Sequence, residues 1–580
     1  MGPDEGAGAG AGAGGEGAAG GSGKATRASV RAQVRADAAR ASGRYAEERV
    51  AYAIAQGCTT KLLLVERVIA RLSLAGLAYA LPALAACTGH RETAVTDGAP
   101  TLEMLVANDP ETLDPRYVTD AIGMRTTRLI HAGLTRTDPS SLRPMPYLAE
   151  SFRWDSPLIL DVTLRKDLRF HSGAPFTAED VVATLTAFGS PAVASRHAAT
   201  VEPISSAVAV GPYELTITLR RPHASLLADF DLPILRHDQA ESPPDPTGAT
   251  LDGLGPFEIE RTERGEVLLR PAHYGAMPEN RDRSPARSLP LHRVALRTVH
   301  DENARALRLY SGRADIVQSG ISPTLLPALE GTSGLTLATT PGANLTYIVC
   351  RVDKGPLAHV DLRRAISLAI DRKTITSALF SGRATPASSL LPEGHWAAPV
   401  ERSPVSFDPA GARSVVATLP DPPVRLTLLT STDRLRITVA RTIAEELGEV
   451  GLDVEVVPLE LGTLLARLNA GEFDLASLQL PELTEPNVLR VFLHSAYVPP
   501  NGSNRGRVTD REVDQWLEKG DGAMDEAARA DAYGHLEARI QDQLFIIPLW
   551  HEDQVAVVSE TAREYRPSPE GRWLGLVEVR

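Results

Sequence analysis

The chain has 580 residues, enough for two or more domains with cores of their own. Its composition, 43% hydrophobic and 23% charged, is ordinary for a soluble globular protein, and a net charge of −13 argues against a general nucleic-acid binder. The three cysteines, Cys58, Cys87 and Cys350, form no CxxC pair, so zinc-ribbon and thioredoxin readings have no basis.

Residues 1–23 hold eleven glycines and few apolar side chains. The extension over 1–64 is therefore expected to be disordered, or not translated if the true start lies near Val65. Gly23-Lys24 does not make a phosphate loop, because Ala25 stands where Ser or Thr is required. Arg67 and Arg71 precede an uncharged run from Leu72 to Ala86. That run is short for a membrane span of about 20 residues and suits the apolar region of a signal peptide over 65–86; the alternative is a buried apolar helix. The run ends Leu84-Ala85-Ala86-Cys87, which resembles the bacterial lipobox. That resemblance implies cleavage before Cys87, acylation of its side chain, and a polar tether over 87–98.

Beyond the tether, strands and helices alternate. Leu158–Leu164 reads as a short strand. Thr177 followed by Asp180 marks a helix start, with Val181, Val182, Leu185 and Phe188 on its apolar face. A lone Cys350 is expected in a core. Asp361 is expected to cap a helix bearing Leu362, Ala365, Ile366, Ala369 and Ile370. The clearest α/β run is strand 425–430, helix 434–449, strand 452–459, helix 462–470 and strand 473–480, an order that favours a parallel sheet. Residues 541–550 read as a late apolar strand interrupted by Pro548.

Several of these segments resemble the bacterial extracellular solute-binding proteins of family 5, the group of the oligopeptide-, dipeptide- and nickel-binding proteins. The resemblance is carried by NDPETLDP (108–115), PYLAESFRW (146–154), LRKDLRFHSGAPFTAEDVV (164–182), GLGPF (253–257), 360–373, 529–533 and IPLW (547–550), in the family's order. It implies an α/β, two-lobed periplasmic-binding-protein fold, hinge-connected, with an extra subdomain over 118–250. The first lobe would hold 99–340 and 545–580, the second 341–544. It further implies an extracytoplasmic lipoprotein of an ABC importer, without cofactor or catalysis. Such a protein captures a peptide-like or other small polar solute between its lobes and delivers it to a permease with its ATPases. A monomer at the periplasm or cell surface, held through Cys87, follows. The rivals are a peptide-sensing or chaperone-like lipoprotein without transport, and a periplasmic hydrolase.

In peptide-binding members a carboxylate pairs with the ligand's α-amino group. Counting back from Glu485-Pro486, Glu482 falls at that position, with Gln479 in place of an aromatic. Glu482 then either pairs with a cationic ligand group or is a solvated loop carboxylate. Asn501, Asn504 and Arg505 suit either contact with a polar solute or a surface turn. Asn108 and Asp109 at the end of the opening strand, and Trp396 as a stacking surface or loop anchor, complete the candidates. No HExxH or GxSxG occurs; His171 reads as a bonded loop histidine, and His494 and His551 lack the clustered partners of a metal site.

Overall fold

The computed structural model describes residues 100–276, 292–399, 406–419 and 424–579; the extension, Arg67–Ala86 and Cys87 lie outside them. Two large sheets divide the described residues into lobes. In the first, seven strands run in the order Leu335–Thr340, Gln554–Ser559, Ile316–Gln318, Thr101–Val106, Arg293–Thr298, Glu266–Pro271 and Phe257–Glu263. Thr101–Val106 is parallel to both Arg293–Thr298 and Ile316–Gln318. Both faces are covered: Met104, Leu269, Leu296 and Val558 pack on one side, Leu105, Leu309, Val317 and Val557 on the other. That two-sided burial is what an apolar parallel strand requires.

The second lobe has six strands, ordered Ala384–Pro386, Ile546–Glu552, Leu345–Cys350, Leu475–Leu480, Arg425–Ser431 and Asp453–Leu459. Arg425–Ser431 pairs in parallel with both Asp453–Leu459 and Leu475–Leu480, the arrangement expected from the strand–helix–strand run. The helix Arg434–Glu449 buries Val439, Ile443 and Leu447 against this sheet, each fully buried residue of this size contributing roughly 2 kcal/mol. Cys350 is buried here, and burial pushes its thiol up to about 12.

The extra subdomain is a four-stranded antiparallel sheet, Ala149–Ser156, Ile159–Leu164, Glu214–Leu219 and Ile204–Gly211 in that order. The helix Ala178–Gly189 packs Val181, Leu185 and Phe188 into its core. The Asp180 carboxylate reaches back to accept from the Thr177 N–H at 2.8 Å, as the sequence predicts.

Two expectations shift. His359, not Asp361, stands at the N-cap of the helix Val360–Ala369, because a 3₁₀ turn at Pro356–Ala358 leads directly into it; Asp361 sits in the first turn. The last strand of the second sheet is Ile546–Glu552, not 541–550, because the helix Glu526–Gln543 runs on until Leu544 adopts a left-handed conformation. The chain therefore returns to the first sheet between Glu552 and Gln554, later than the expected crossing at 545. No helix among the described residues is long and apolar enough to cross a membrane.

Candidate functional site

The topology dictates where a site can form. In open α/β sheets, ligands lie beyond the carboxyl ends of the parallel strands. In the first lobe those ends are Val106, Thr298 and Gln318; in the second, Ser431, Leu459 and Leu480. Both crossovers, from Thr340 to Leu345 and from Glu552 to Gln554, join the carboxyl edge of one sheet to that of the other. The crossovers touch: Asn344 Oδ1 accepts from the Glu552 N–H at 2.9 Å, and a Cβ on Gly342 would meet the Glu552 carbonyl at 2.0 Å. The two carboxyl edges thus border one interlobe cleft.

A charged cluster bridges that cleft. From the first lobe, the helix Ala121–Ile130 supplies Arg125 and Arg128, three residues apart. Its C-terminus is docked by the GLGPF segment: Gly255 N–H donates to the Ile130 carbonyl at 2.7 Å. A Cβ at Gly253 would lie 2.2 Å from the Ile130 carbonyl, and one at Gly255 2.4 Å from that of Leu129, so only glycine permits this approach. Asp231 accepts from Arg128 Nε at 3.0 Å and pairs with Arg572 Nη2 at 2.9 Å. From the second lobe comes Glu482, in a left-handed conformation (φ 46°), its carboxylate 3.5 Å from Arg128 Nη1 and 3.6 Å from Arg572 Nη2. Burial pushes the Glu482 carboxyl upward, but Arg128, Arg572 and Arg125 outweigh it and hold the group below the usual carboxylate range. The contact is loose: at these distances Arg128 Nη1, like Arg572 Nε, makes no hydrogen bond among the described residues.

Arg125 makes no ion pair among the described residues, and its Nε is buried without an acceptor. Its guanidinium packs on Gly571 and lies 5.9 Å from the Trp573 ring. Burial lowers its proton affinity; Glu482 and Tyr565 oppose that shift and Arg128 adds to it. A cavity of about 240 Å³ opens beside Arg128, Asp231 and Arg572.

Two further polar groups flank the cluster. On the edge of the second lobe, Arg436 forks onto Glu552 (Nη2–Oε2 2.9 Å), and Thr346 Oγ1 donates to the same carboxylate at 2.6 Å and accepts from Gln479 Nε2 at 3.4 Å. Beyond Glu482, Glu485 pairs with Arg529, whose guanidinium lies 4.8 Å over the Trp396 ring. Burial pushes Glu485 up to about 7. The lobes also meet where Asn487 donates to Ser225 Oγ and the Ala224 N–H to the Asp521 carbonyl at 3.0 Å. Ser225, His223 and Asp229 lie together but form no nucleophile–base–acid relay, since Ser225 Oγ and Asp229 Oδ2 both contact His223 Nε2, at 3.2 and 2.6 Å.

Of the residues singled out in the sequence, Gln479, Glu482, Asn108 and Asp109 lie at carboxyl edges; Asp109 is exposed and accepts from Thr298 Oγ1. Trp396 is half-buried in the loop packed on 482–487, where His395 Nε2 meets the Thr484 carbonyl at 3.1 Å. The 501–505 loop goes elsewhere. Asn504 is fully buried, its amide donating to the carbonyls of Leu493, His494 and Val508 and accepting from the Val508 N–H. Arg505 donates to Asn469 Oδ1 at 3.0 Å, at the C-terminal end of the helix Leu461–Ala470, and the Val352 N–H meets the Gly506 carbonyl. These contacts sit at the edge of the second sheet opposite the cleft; Asn501 is exposed in the turn before them. His171 is a bonded loop histidine, its Nε2 2.9 Å from the Gly255 carbonyl. Among the described residues no group of three or more His, Cys, Asp or Glu could hold a metal ion.

Sequence reasoning missed Arg125, Arg128, Asp231, Arg572, Arg436 and Glu552. The usable signal was the pair of arginines at i, i+3 on a helix otherwise buried on Gly123, Thr126, Thr127, Leu129 and Ile130.

Comparison with known proteins is consistent with this geometry. The sequence model described as bacterial extracellular solute-binding proteins, family 5 (middle) matches residues 143–488. The probable di/tripeptide-binding protein 5 of Pseudomonas aeruginosa is 25% identical over 460 residues, 74% of this chain and 85% of the relative. The probable D,D-dipeptide-binding periplasmic protein DdpA of Escherichia coli is 24% identical over 491 residues, 80% and 92% of the two chains. The crystal structure of the ABC transporter substrate-binding protein CtaP from Listeria monocytogenes superposes with a TM-score of 0.72 at 21% identity, covering 83% of this chain and 99% of that one.

Proposed function

This chain belongs to family 5 of the bacterial extracellular solute-binding proteins, and from that premise we propose that it is the extracytoplasmic receptor of an ABC importer. It captures a peptide-like or other small polar solute between its lobes and hands it to the permease and its ATPases. The observation that carries the reading is the meeting of both carboxyl edges across two touching crossovers, with a charged cluster contributed by both lobes. Such a cleft binds by closure: a solute that touches both lobes stabilises the closed state by its extra contacts there. The similarity to proteins named for dipeptide and tripeptide binding supports a peptide-like solute. The chain is anchored outside the cytoplasmic membrane by lipid on Cys87 and acts as a monomer.

Native mass spectrometry of protein purified from its own host tests the reading. A small solute that co-purifies, and whose uptake is lost when the gene is deleted, is the expected result. Unchanged uptake of that solute in the deletion strain overturns it. Intact-mass measurement of the membrane-extracted protein checks the anchor; a mature chain lacking the acyl mass at Cys87 removes that part alone.

A further inference from the structure

Three arginines converge on the cleft face of the first lobe, and the fold does not account for all of them. Arg128 and Arg572 share Asp231. Among the described residues Arg125 pairs with no carboxylate, although its Nε is buried, and it stands one turn from Arg128, where like charges repel. The Arg125 side chain is half-buried, and its Nε–H, cut off from water without an acceptor, costs free energy that packing does not return; such costs persist where a ligand offsets them. Opposite the arginines stands Glu482, the second lobe's carboxylate, in a backbone conformation that non-glycine residues rarely adopt. Its contacts, at 3.5 and 3.6 Å, are longer than a charge-assisted hydrogen bond. The buried Glu570 acts on both Arg125 and Arg572, so Arg125, Arg128, Arg572, Asp231, Glu482 and Glu570 sum to zero formal charge; with Glu482 withdrawn, the first-lobe face is left with a surplus of one positive charge.

We propose that this face is a carboxylate-binding site, that the solute is anionic, either an acidic peptide or a polycarboxylate, and that Glu482 fills the solute's place while the cleft is empty. The inference rests on reading the interlobe cleft as the solute site. It departs from the assignment of Glu482 as acceptor of a ligand amine: here Glu482 is an internal competitor, and a carboxylate of the solute displaces it from Arg128 and Arg572 while a second engages Arg125. A planar guanidinium takes a carboxylate through two parallel hydrogen bonds, so the displaced contact is replaced by a stronger one.

Titration calorimetry of the mature protein with glutamyl-glutamate, alanyl-alanine and citrate tests this, on wild type, Glu482→Gln and Arg125→Gln. Among the described residues Arg125 has no ion pair to lose, so its substitution should leave the fold intact, and circular dichroism checks this. The expected result is glutamyl-glutamate or citrate bound at least about tenfold more tightly than alanyl-alanine, a gain of about tenfold for the acidic probe in Glu482→Gln, and loss of the preference in Arg125→Gln. Binding of the dipeptide but not citrate assigns the acidic peptide; citrate bound as well as the dipeptide assigns the polycarboxylate. Weaker binding of glutamyl-glutamate to Glu482→Gln overturns the inference and restores the amine-acceptor role. Equal affinity for the neutral and acidic dipeptides overturns it too, and leaves the solute-binding reading standing. If none of the three probes binds wild type or Glu482→Gln, the anionic class is excluded, while solute binding itself is still decided by co-purification and uptake.

Discussion

Asp553 lies in the short return crossover, its N–H donating to the Arg383 carbonyl at 3.1 Å. Burial pushes its carboxyl up to about 6, with Arg383 only partly offsetting the effect. A carboxylate whose folded pKa exceeds its unfolded value favours folding only below the unfolded value, near 4. That contribution is lost as pH rises through about 6. Asp553→Asn removes the loss. The variant should match wild type at pH 4 and melt about 1–2 °C higher at pH 8, a small gain because the group is only half-buried and solvent screens it. Equal melting temperatures at both pH values would show that the charge is not strained. The Glu482 region resists reading from sequence for a different reason. Glu482 could be placed by its distance from Glu485-Pro486, but its partners Arg128 and Arg572 come from opposite ends of the chain, and no local pattern links them.

Among the elements, those defined by local periodicity were legible. The helix Arg434–Glu449 has the bounds its apolar spacing predicts, and the flanking strands agree within about two residues. Misreadings fell where tertiary packing decides an end, as at His359 and Leu544. The 501–505 loop, which the sequence leaves open between solute contact and a surface turn, takes the second course. Amides and an arginine next to a glycine describe a turn as well as a site, and here Asn504 braces the turn against Val508. The crossover Thr340–Leu345 carries a sharper constraint. Adding a methyl at Gly342 drives it to 2.0 Å from the Glu552 carbonyl, so the two crossovers must part. Gly342→Ala should lower stability by about 1–3 kcal/mol. Its radius of gyration in X-ray scattering should also increase as the lobes open; an unchanged profile and melting curve would mean the crossovers shift at no cost.

Across the whole molecule, the division of the chain between the lobes is uneven. The second sheet is built entirely from residues 345–552, one continuous stretch. The first is discontinuous, and its late strand Gln554–Ser559 lies between Leu335–Thr340 and Ile316–Gln318, pairing with both. Ending the chain at Glu552 should therefore leave hydrogen-exchange protection in the second sheet and abolish it in Leu335–Thr340, whose only partner strand among the described residues is gone. Loss of protection in both sheets would show that the lobes do not fold independently.

The order of synthesis gives that arrangement a further consequence. The strand that knits the first lobe's sheet, Gln554–Ser559, leaves the ribosome only after every strand of the second sheet has done so. The sheet whose strands appear first is thus completed after the one that follows it. Until that strand arrives, Leu335–Thr340 and Ile316–Gln318 lack the partner they share, so the first sheet stays open at that point while the second can already close.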